Sequence, residues 1–405
     1  MTQYNNEDIV FISALRTPIG KTGGFLAKYP APKLAGFVIS EILNNTKIDP
    51  AKIDELIIGN VLTAGEKQHP GRQVAIASGL PNTPSFTIGK NCGSGLKAVA
   101  LAVNCIKSND KEIIIAGGME SLSNVPDLFV DEETFNKADK CLQKDPQVLD
   151  FVTSDASFCP ISNKHIIYHA ENSAGKHAKK YNLDPEEFKK QIDMAAFESH
   201  EKANASYDKG AFKNEVVRID EFDKDELPRI ITFERINKKR NTRYNPEGMF
   251  VSPYNSPMFA DASACFLLMK YEKAISLGLK PIAKVIGYAD GSAPVADFLI
   301  APIDAVNKLL AKINHKIQDF DLIESNASFG VQTLILAKEL NYDLKKVNVK
   351  GDCVAQGHPI GAAGAVRLVT LIHALKDRNL KKGLVSICLG GGDAIAMAVE
   401  VSGKS

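Results

Sequence analysis

The chain has almost no net charge: 49 Lys and Arg against 48 Asp and Glu leave +1 over 405 residues. That balance argues against a dedicated nucleic-acid binder and against a polybasic membrane anchor. No uninterrupted apolar run reaches the ~18 residues of a membrane span. The opening "MTQYNNEDIV" has no basic stretch followed by an apolar one, so no secretory leader is expected. The seven cysteines (Cys92, Cys105, Cys141, Cys159, Cys265, Cys353 and Cys388) are odd in number, and no two have C-x-x-C spacing. Neither a disulfide framework nor a zinc site is expected, and a reducing cytoplasm is the expected compartment. Most of these thiols should be packing residues, so a reactive one has to be argued from its surroundings.

What is present is ordinary globular composition, 44% hydrophobic and 24% charged, in a chain long enough for two or three domains. Short β-rich runs alternate with helical patterns. "DIVFISALR", "ELIIGNVL" and "KEIIIAGG" read as strands and "KLAGFVISEIL" as an amphipathic helix, which points to an α/β fold around a central sheet. The last third repeats the plan: "IAKVIGYA" is a strand, "IDAVNKLLAKI" a helix, "DLIESNASFG" a strand leaving into a polar turn, and "GLVSICLGGG" a strand ending in glycines. Asn60 and Cys92 are 32 residues apart in the first half, as are Asn326 and His358 in the second. The shared element order makes an internal duplication the better reading of that match. From about Leu122 to Val251 strand signals are few and charges many. Asn182 to Glu187 mark a helix start there, and the region reads as an inserted, mostly helical subdomain. Its basic run Lys238-Lys239-Arg240-Asn241-Thr242-Arg243 is either a solvated loop or a partner for phosphates.

Four short segments carry chemistry. In "KNCGSGLKA", Cys92 stands where a strand gives way to a helix. The unpaired N–H groups there carry roughly half a positive charge, which should lower the thiol pKa below the ~8.5 of a free cysteine. A small buried cysteine is the rival reading of this segment. In "QGHPIGAAGAVR", His358 holds the equivalent place in the second half, with glycines that permit close approach. In "SICLGGGDAIA", Cys388 precedes a glycine turn able to aim backbone N–H groups at an oxyanion. In "ESNASFG", Asn326 ends a strand, where it could equally be a turn asparagine.

Together these blocks, with "LRTPIGKTGGFLA", "GNVLTAGEKQHPGRQVAIASGLP", "AGGMESLS", "AENSA" and "SHEKA", resemble the thiolases, the acetyl-CoA acetyltransferase and 3-ketoacyl-CoA thiolase family, in order from about Leu15 to Glu400. The resemblance implies a thiolase fold of two similar five-stranded α/β halves with mixed sheets in αβαβα layers. Residues 1–121 and 252–280 would form the N-terminal half, 122–251 an inserted helical domain that binds CoA, and 281–405 the C-terminal half. Cys92 would accept the acyl group. His358 would take its proton and help hold the thioester oxygen. Cys388 would be the acid/base at the α-carbon. Asn326 would hold a water that completes one oxyanion hole, and the N–H groups of Cys92 and Gly390 would form the other. Ser256, His165 and Phe329 are the implied substrate contacts. No metal or resident cofactor is implied, since coenzyme A enters as part of acetyl-CoA, acetoacetyl-CoA or another 3-ketoacyl-CoA. A homodimer or homotetramer is implied, with neither nucleic acid nor membrane as partner.

The implied reaction is Claisen condensation of two acetyl-CoA, or its reverse. Thiolysis of longer 3-ketoacyl-CoA and a weakly active acyl-CoA-binding protein are the alternatives. The chain departs from the family's pattern at Ala327, where an acidic residue is usual, at Ile166-Ile167 after His165, where Met-Gly is frequent, and at Ala394, where glycine is common. These changes leave the Cys–His–Cys set intact and bear on rate and acyl length.

Overall fold

The computed structural model describes residues 4–238 and 241–402. The first half contains the strands β1 (Ile9–Arg16), β2 (Glu55–Gly59), β3 (Ser85–Ile88), β4 (Ile113–Ser121) and β5 (Ala260–Lys270), and the helices α1 (Ala31–Thr46), α2 (Pro70–Ala77) and α3 (Ser94–Lys107). Between β4 and β5 runs a long excursion that holds α4 (Ile166–Lys180) and α5 (Pro185–Asp208) with several shorter pieces. The second half follows as β6 (Ala283–Ser292), α6 (Ala301–Ile313), β7 (Leu322–Ser325), α7 (Gly330–Leu340), α8 (Ile360–Asp377), β8 (Lys382–Leu389) and β9 (Asp393–Val401).

The strands hydrogen-bond in the order β7-β8-β9-β6-β1-β5-β4-β2-β3. In the first half, β1 is antiparallel to β5 and β5 to β4, while β4, β2 and β3 run parallel. The second half repeats this: β6 is antiparallel to β9 and β9 to β8, and β7 joins β8 in parallel. The halves meet along β1 and β6, where Val10 faces Lys284 and Phe11 faces Ala283. The five-stranded expectation holds for the first half. In the second, the counterpart of β3 shrinks to a single parallel bridge between Val347 and Ile323. The cause is local. Asn348 takes a left-handed backbone, φ 48°, and its side-chain oxygen replaces a ladder carbonyl by accepting from the Ser325 N–H at 2.8 Å. Strand geometry does not survive that turn.

Local sequence accounts for most helices. In α1, Leu34, Val38 and Ile42 recur at helical spacing and are buried, each contributing roughly 1.5–3 kcal/mol by leaving water. The helical stretch after Ala170 divides into α4 and α5 because Asp184 caps the second at the Glu187 N–H, 2.9 Å away, with Pro185 in its first turn. α3 and α8 form the middle layer, packed against each other and against both sets of strands. They approach closely because small residues face across: a Cβ on Gly95 would sit 2.8 Å from the Ala365 Cβ. α1 and α2 cover the outer face of the first half. α4 and α5 share a separate apolar cluster with α7, Phe298, Phe329 and Cys388, so the excursion rests on the second half beside the ends of its strands. Among the described residues no helix is long and apolar enough to cross a membrane.

Candidate active site

The loops at the carboxyl ends of the parallel strands converge, which is where open α/β sheets place their chemistry. Asn60 follows β2, Asn326 follows β7, and Cys92 and His358 each lie two residues ahead of the middle helices. Because the starts of α3 and α8 lie side by side, these last two meet: His358 Nε2 is 3.1 Å from Cys92 Sγ.

Each is fixed by its backbone. The His358 N–H donates to the Met258 carbonyl at 2.8 Å. The preceding Gly357 has φ +94°, and a Cβ on it would lie 2.3 Å from Leu227, so glycine is required there. Asn91, just before Cys92, has φ 43° and donates from Nδ2 to the Gly390 carbonyl at 2.7 Å. This ties the loop carrying the thiol to the glycine turn between β8 and β9. Within that turn the Gly390 N–H faces the Cys92 sulfur. Beneath the α8 start, buried Glu120 accepts from the N–H groups of Gly361 (2.8 Å) and Leu62 (3.2 Å). These bonds satisfy a helix-terminal donor, while burial pushes its carboxyl up to about 8.

The electrostatics reverse one sequence-based expectation. The Cys92 pKa is raised, not lowered. Burial is the main cause, Cys388 adds to it, and the N–H groups of Gly390 and of Cys92 itself oppose it. The helix start does not compensate: α3 begins at Ser94, and the Gly93 and Ser94 amides are taken up by the Lys90 and Asn91 carbonyls at 3.0 Å. Burial lowers His358 to about 4, with Arg367 adding. The resting pair is therefore a thiol beside a neutral imidazole, with Nε2 free to accept. His358 Nδ1, which then carries the ring proton, has no hydrogen-bond partner among the described residues.

Cys388 belongs to β8 itself, opposite Ala394 of β9, rather than to the turn after it. It is 1% exposed, and burial raises its thiol. Its sulfur lies 3.0 Å from Ser328 Oγ. Asn326, fully buried, donates from Nδ2 to that same Ser328 oxygen at 2.8 Å and accepts at Oδ1 from the Cys353 thiol at 3.1 Å. Neither Ser328 nor Cys353 was given a role in the sequence reading. Ser328 was visible, two residues after Asn326 in "ESNASFG", but nothing local to that string says that it reaches across to β8.

Cys92, His358, Ser328 and Gly390 line a cavity of about 1040 Å³, and Ser256, His165 and Phe329 line it too. Cys388 and Asn326 stand behind Ser328 and are not in the lining. Ser256 Oγ donates to the Ser252 carbonyl at 2.8 Å. His165 stacks on Tyr244, ring centres 3.9 Å apart, and burial lowers it to about 4. Phe329 packs edge-on against Phe298. Of the basic run, Lys239 and Arg240 lie outside the described residues. Arg243 lies over the Tyr244 ring at 4.7 Å, and Tyr244 reaches the cavity wall. Ala327, where an acid is usual, is buried with φ 48°.

A duplicated mixed α/β frame that pairs a thiol with an imidazole on the wall of one large cavity, with a second thiol buried behind that wall, defines a class of thioester-handling enzymes, and comparison with known proteins agrees. The family model described as thiolase, N-terminal domain, matches residues 9–272, and thiolase, C-terminal domain, matches residues 279–401. The chain belongs to the thiolase family and is an enzyme of that class. It is 37% identical to an acetyl-CoA acetyltransferase of Pseudomonas aeruginosa over 403 residues, 97% of this chain and 99% of that protein. It is 37% identical to one of Escherichia coli with the same coverage. Among solved structures, the Bacillus anthracis acetyl-CoA acetyltransferase superposes with a TM-score of 0.88 at 32% identity, covering 99% of this chain and 100% of that one. The Acat5 thiolase from Ascaris suum in complex with coenzyme A gives 0.87 at 33%, covering 98% and 100%.

Proposed function

We propose that this thiolase condenses two acetyl-CoA to acetoacetyl-CoA and CoA, and catalyses the reverse thiolysis, through an acetyl group carried on Cys92. The observation that carries the reading is the Cys92–His358 pair at 3.1 Å on the wall of the large cavity. The relatives named acetyl-CoA acetyltransferase support the choice of acyl group.

In the first half-reaction the Cys92 sulfur attacks the thioester carbon while its proton passes to His358 Nε2. The carbonyl oxygen takes up negative charge beside the N–H groups of Cys92 and Gly390, and CoA leaves with the proton from His358. In the second, Cys388 as thiolate removes a proton from the α-carbon of another acetyl-CoA. The carbanion attacks the acetyl carbon, the bond to Cys92 breaks, and Cys92 leaves as thiolate. Proton exchange between the two sulfurs restores the start. In reverse, the Cys388 thiol protonates the departing carbanion. Asn326 acts here on the Cys388 sulfur directly and through Ser328, to which its amide donates.

CoA binding is assigned to residues 122–251, the greater part of the excursion between β4 and β5, with Arg243 beside Tyr244 as the phosphate candidate. The cavity is also large enough for an acyl chain longer than acetyl, which keeps longer 3-ketoacyl-CoA as a second substrate class. A cytoplasmic homodimer or homotetramer completes the proposal.

The direct test is to incubate the protein with acetyl-CoA, digest it, and map the acetylated peptide. Acetyl on the peptide containing Cys92 is expected, and acetyl on another cysteine overturns the assignment.

A further inference from the structure

We infer that Ser328 is a positioning residue that makes Cys388 an effective base, by donating its hydroxyl hydrogen to the Cys388 sulfur. The inference rests on the reading of Cys388 as the group acting on carbon.

The direction of the hydrogen bonds follows from the chain of partners. Buried Cys353 is held as a thiol, since burial lifts it to about 12, and a thiol beside an amide donates to the oxygen. Its S–H accordingly meets Asn326 Oδ1 at 3.1 Å, which leaves the Asn326 NH₂ facing Ser328 Oγ at 2.8 Å. A hydroxyl has one hydrogen. With its oxygen already accepting from Asn326, that hydrogen points to the Cys388 sulfur, 3.0 Å away, once Cys388 is a thiolate with no hydrogen of its own to give.

The backbone holds this arrangement in place. Ala327 adopts φ 48° just before the serine, and the Ser328 N–H donates to Gln332 Oε1 at 3.1 Å. Gln332 is itself anchored by donating to the Leu299 carbonyl at 3.0 Å. Ser328 also lines the cavity while Cys388 does not, so the hydroxyl borders the space in which a substrate α-carbon must approach the sulfur.

The consequence is specific to protonation state. A donor aimed at sulfur stabilises thiolate over thiol; burial holds the Cys388 thiol up, and among the side chains that oppose it Ser328 comes first, ahead of Gln332 and Asn326. The serine keeps its own hydrogen throughout. The carbon-bound proton moves to the Cys388 sulfur on condensation and back on thiolysis. Acyl transfer to Cys92 uses His358 and does not involve this bond.

The test uses full-length Ser328→Ala and Ser328→Thr, with Cys388→Ala as control. Two rates are followed against pH: condensation, and exchange of labelled CoA into acetyl-CoA. In Ser328→Ala the apparent pKa governing condensation should rise by about one to two units, and the rate at neutral pH should fall about 10- to 100-fold. Exchange should stay within about two-fold, because acyl transfer does not depend on this bond. Ser328→Thr, which keeps a hydroxyl, should restore the wild-type profile. A condensation profile in Ser328→Ala that superimposes on wild type overturns the inference, as does equal loss of exchange and condensation in both serine variants. If Cys388→Ala still condenses, the reading of Cys388 itself fails. If it does not, and Ser328→Ala behaves as wild type, only the role of Ser328 fails.

Discussion

The two thiols proposed to act sit in different surroundings, and the difference predicts how each fails. Cys92 lines the cavity against an imidazole. Cys388 is enclosed in β8 and lies behind cavity-lining residues, Ser328 and the cluster of Phe298 and Phe329. Replacing Cys92 by Ala should abolish acetyl-enzyme formation and thiolysis together. Replacing Cys388 by Ala should leave CoA exchange while condensation falls by the ~10²–10⁴ of a lost general acid/base. Exchange lost equally in both folded variants would mean that Cys388 supports Cys92 instead of acting on carbon. At this scale the sequence was informative about identity and poor about environment. The spacing of Asn60 to Cys92 and Asn326 to His358 pointed to two helix starts that the fold brings together, with Cys92 and His358 at 3.1 Å. The sign of the Cys92 pKa shift did not follow from a helix start, because that sign depends on which residues from other elements enclose the sulfur.

Among the elements, β3 stands at the end of the sheet, and no described strand pairs with its outer edge. An edge with free N–H and C=O groups is a template for a further strand. All four of its residues are half-buried, and it leads directly into the loop of Cys92. Pairing of two β3 edges about a two-fold axis is the expected assembly. Light scattering at micromolar concentration should therefore report two or four times 43.9 kDa; a species at the monomer mass alone counts against it. The strands β1, β2, β4, β6, β7 and β8 and the helices α1 and α6 were legible because each carries its own apolar period. The collapse of the second half's fifth strand to the Val347 bridge was not, since "VNVKG" keeps a strand-like alternation. It is the fold of Asn348 back onto Ser325 that ends the strand. The excursion was readable as helical, but its seat over Phe298, Phe329 and Cys388 depends on contacts with residues far along the chain.

Over the whole molecule, buried ionisable groups set opposing pH limits. His165, His200 and His358 are lowered to about 4, in each case chiefly by burial. Below their unfolded value near 6.5 the unfolded chain binds the extra protons, so these groups lose stability for the fold as pH falls from about 6.5 to 4. Glu120 and Glu324 are raised to about 8 and Glu66 to about 7, again chiefly by burial. These groups stabilise the fold fully below about 4.5, and their contribution is lost as pH climbs through 7 to 8. Between the two limits the contributions offset each other, so the melting temperature should show a broad maximum between about pH 5 and 6. Calorimetry across pH 4 to 9 measures this. Glu120→Gln should flatten the alkaline decline, and an unchanged decline removes Glu120 from the account.

The placement of β5 has a consequence in time. It is the strand that lies between β1 and β4, yet it is synthesised only after the whole excursion; Ser123 and Asp261, bonded at 3.0 Å, are 138 residues apart in the chain. At roughly 5–20 residues per second on the ribosome, about 7–28 s pass during which β1 and β4 have no partner between them and apolar faces on both sides. The first half is thus completed late, by a strand delivered together with the beginning of the second, and the nascent chain must be shielded from aggregation over that interval.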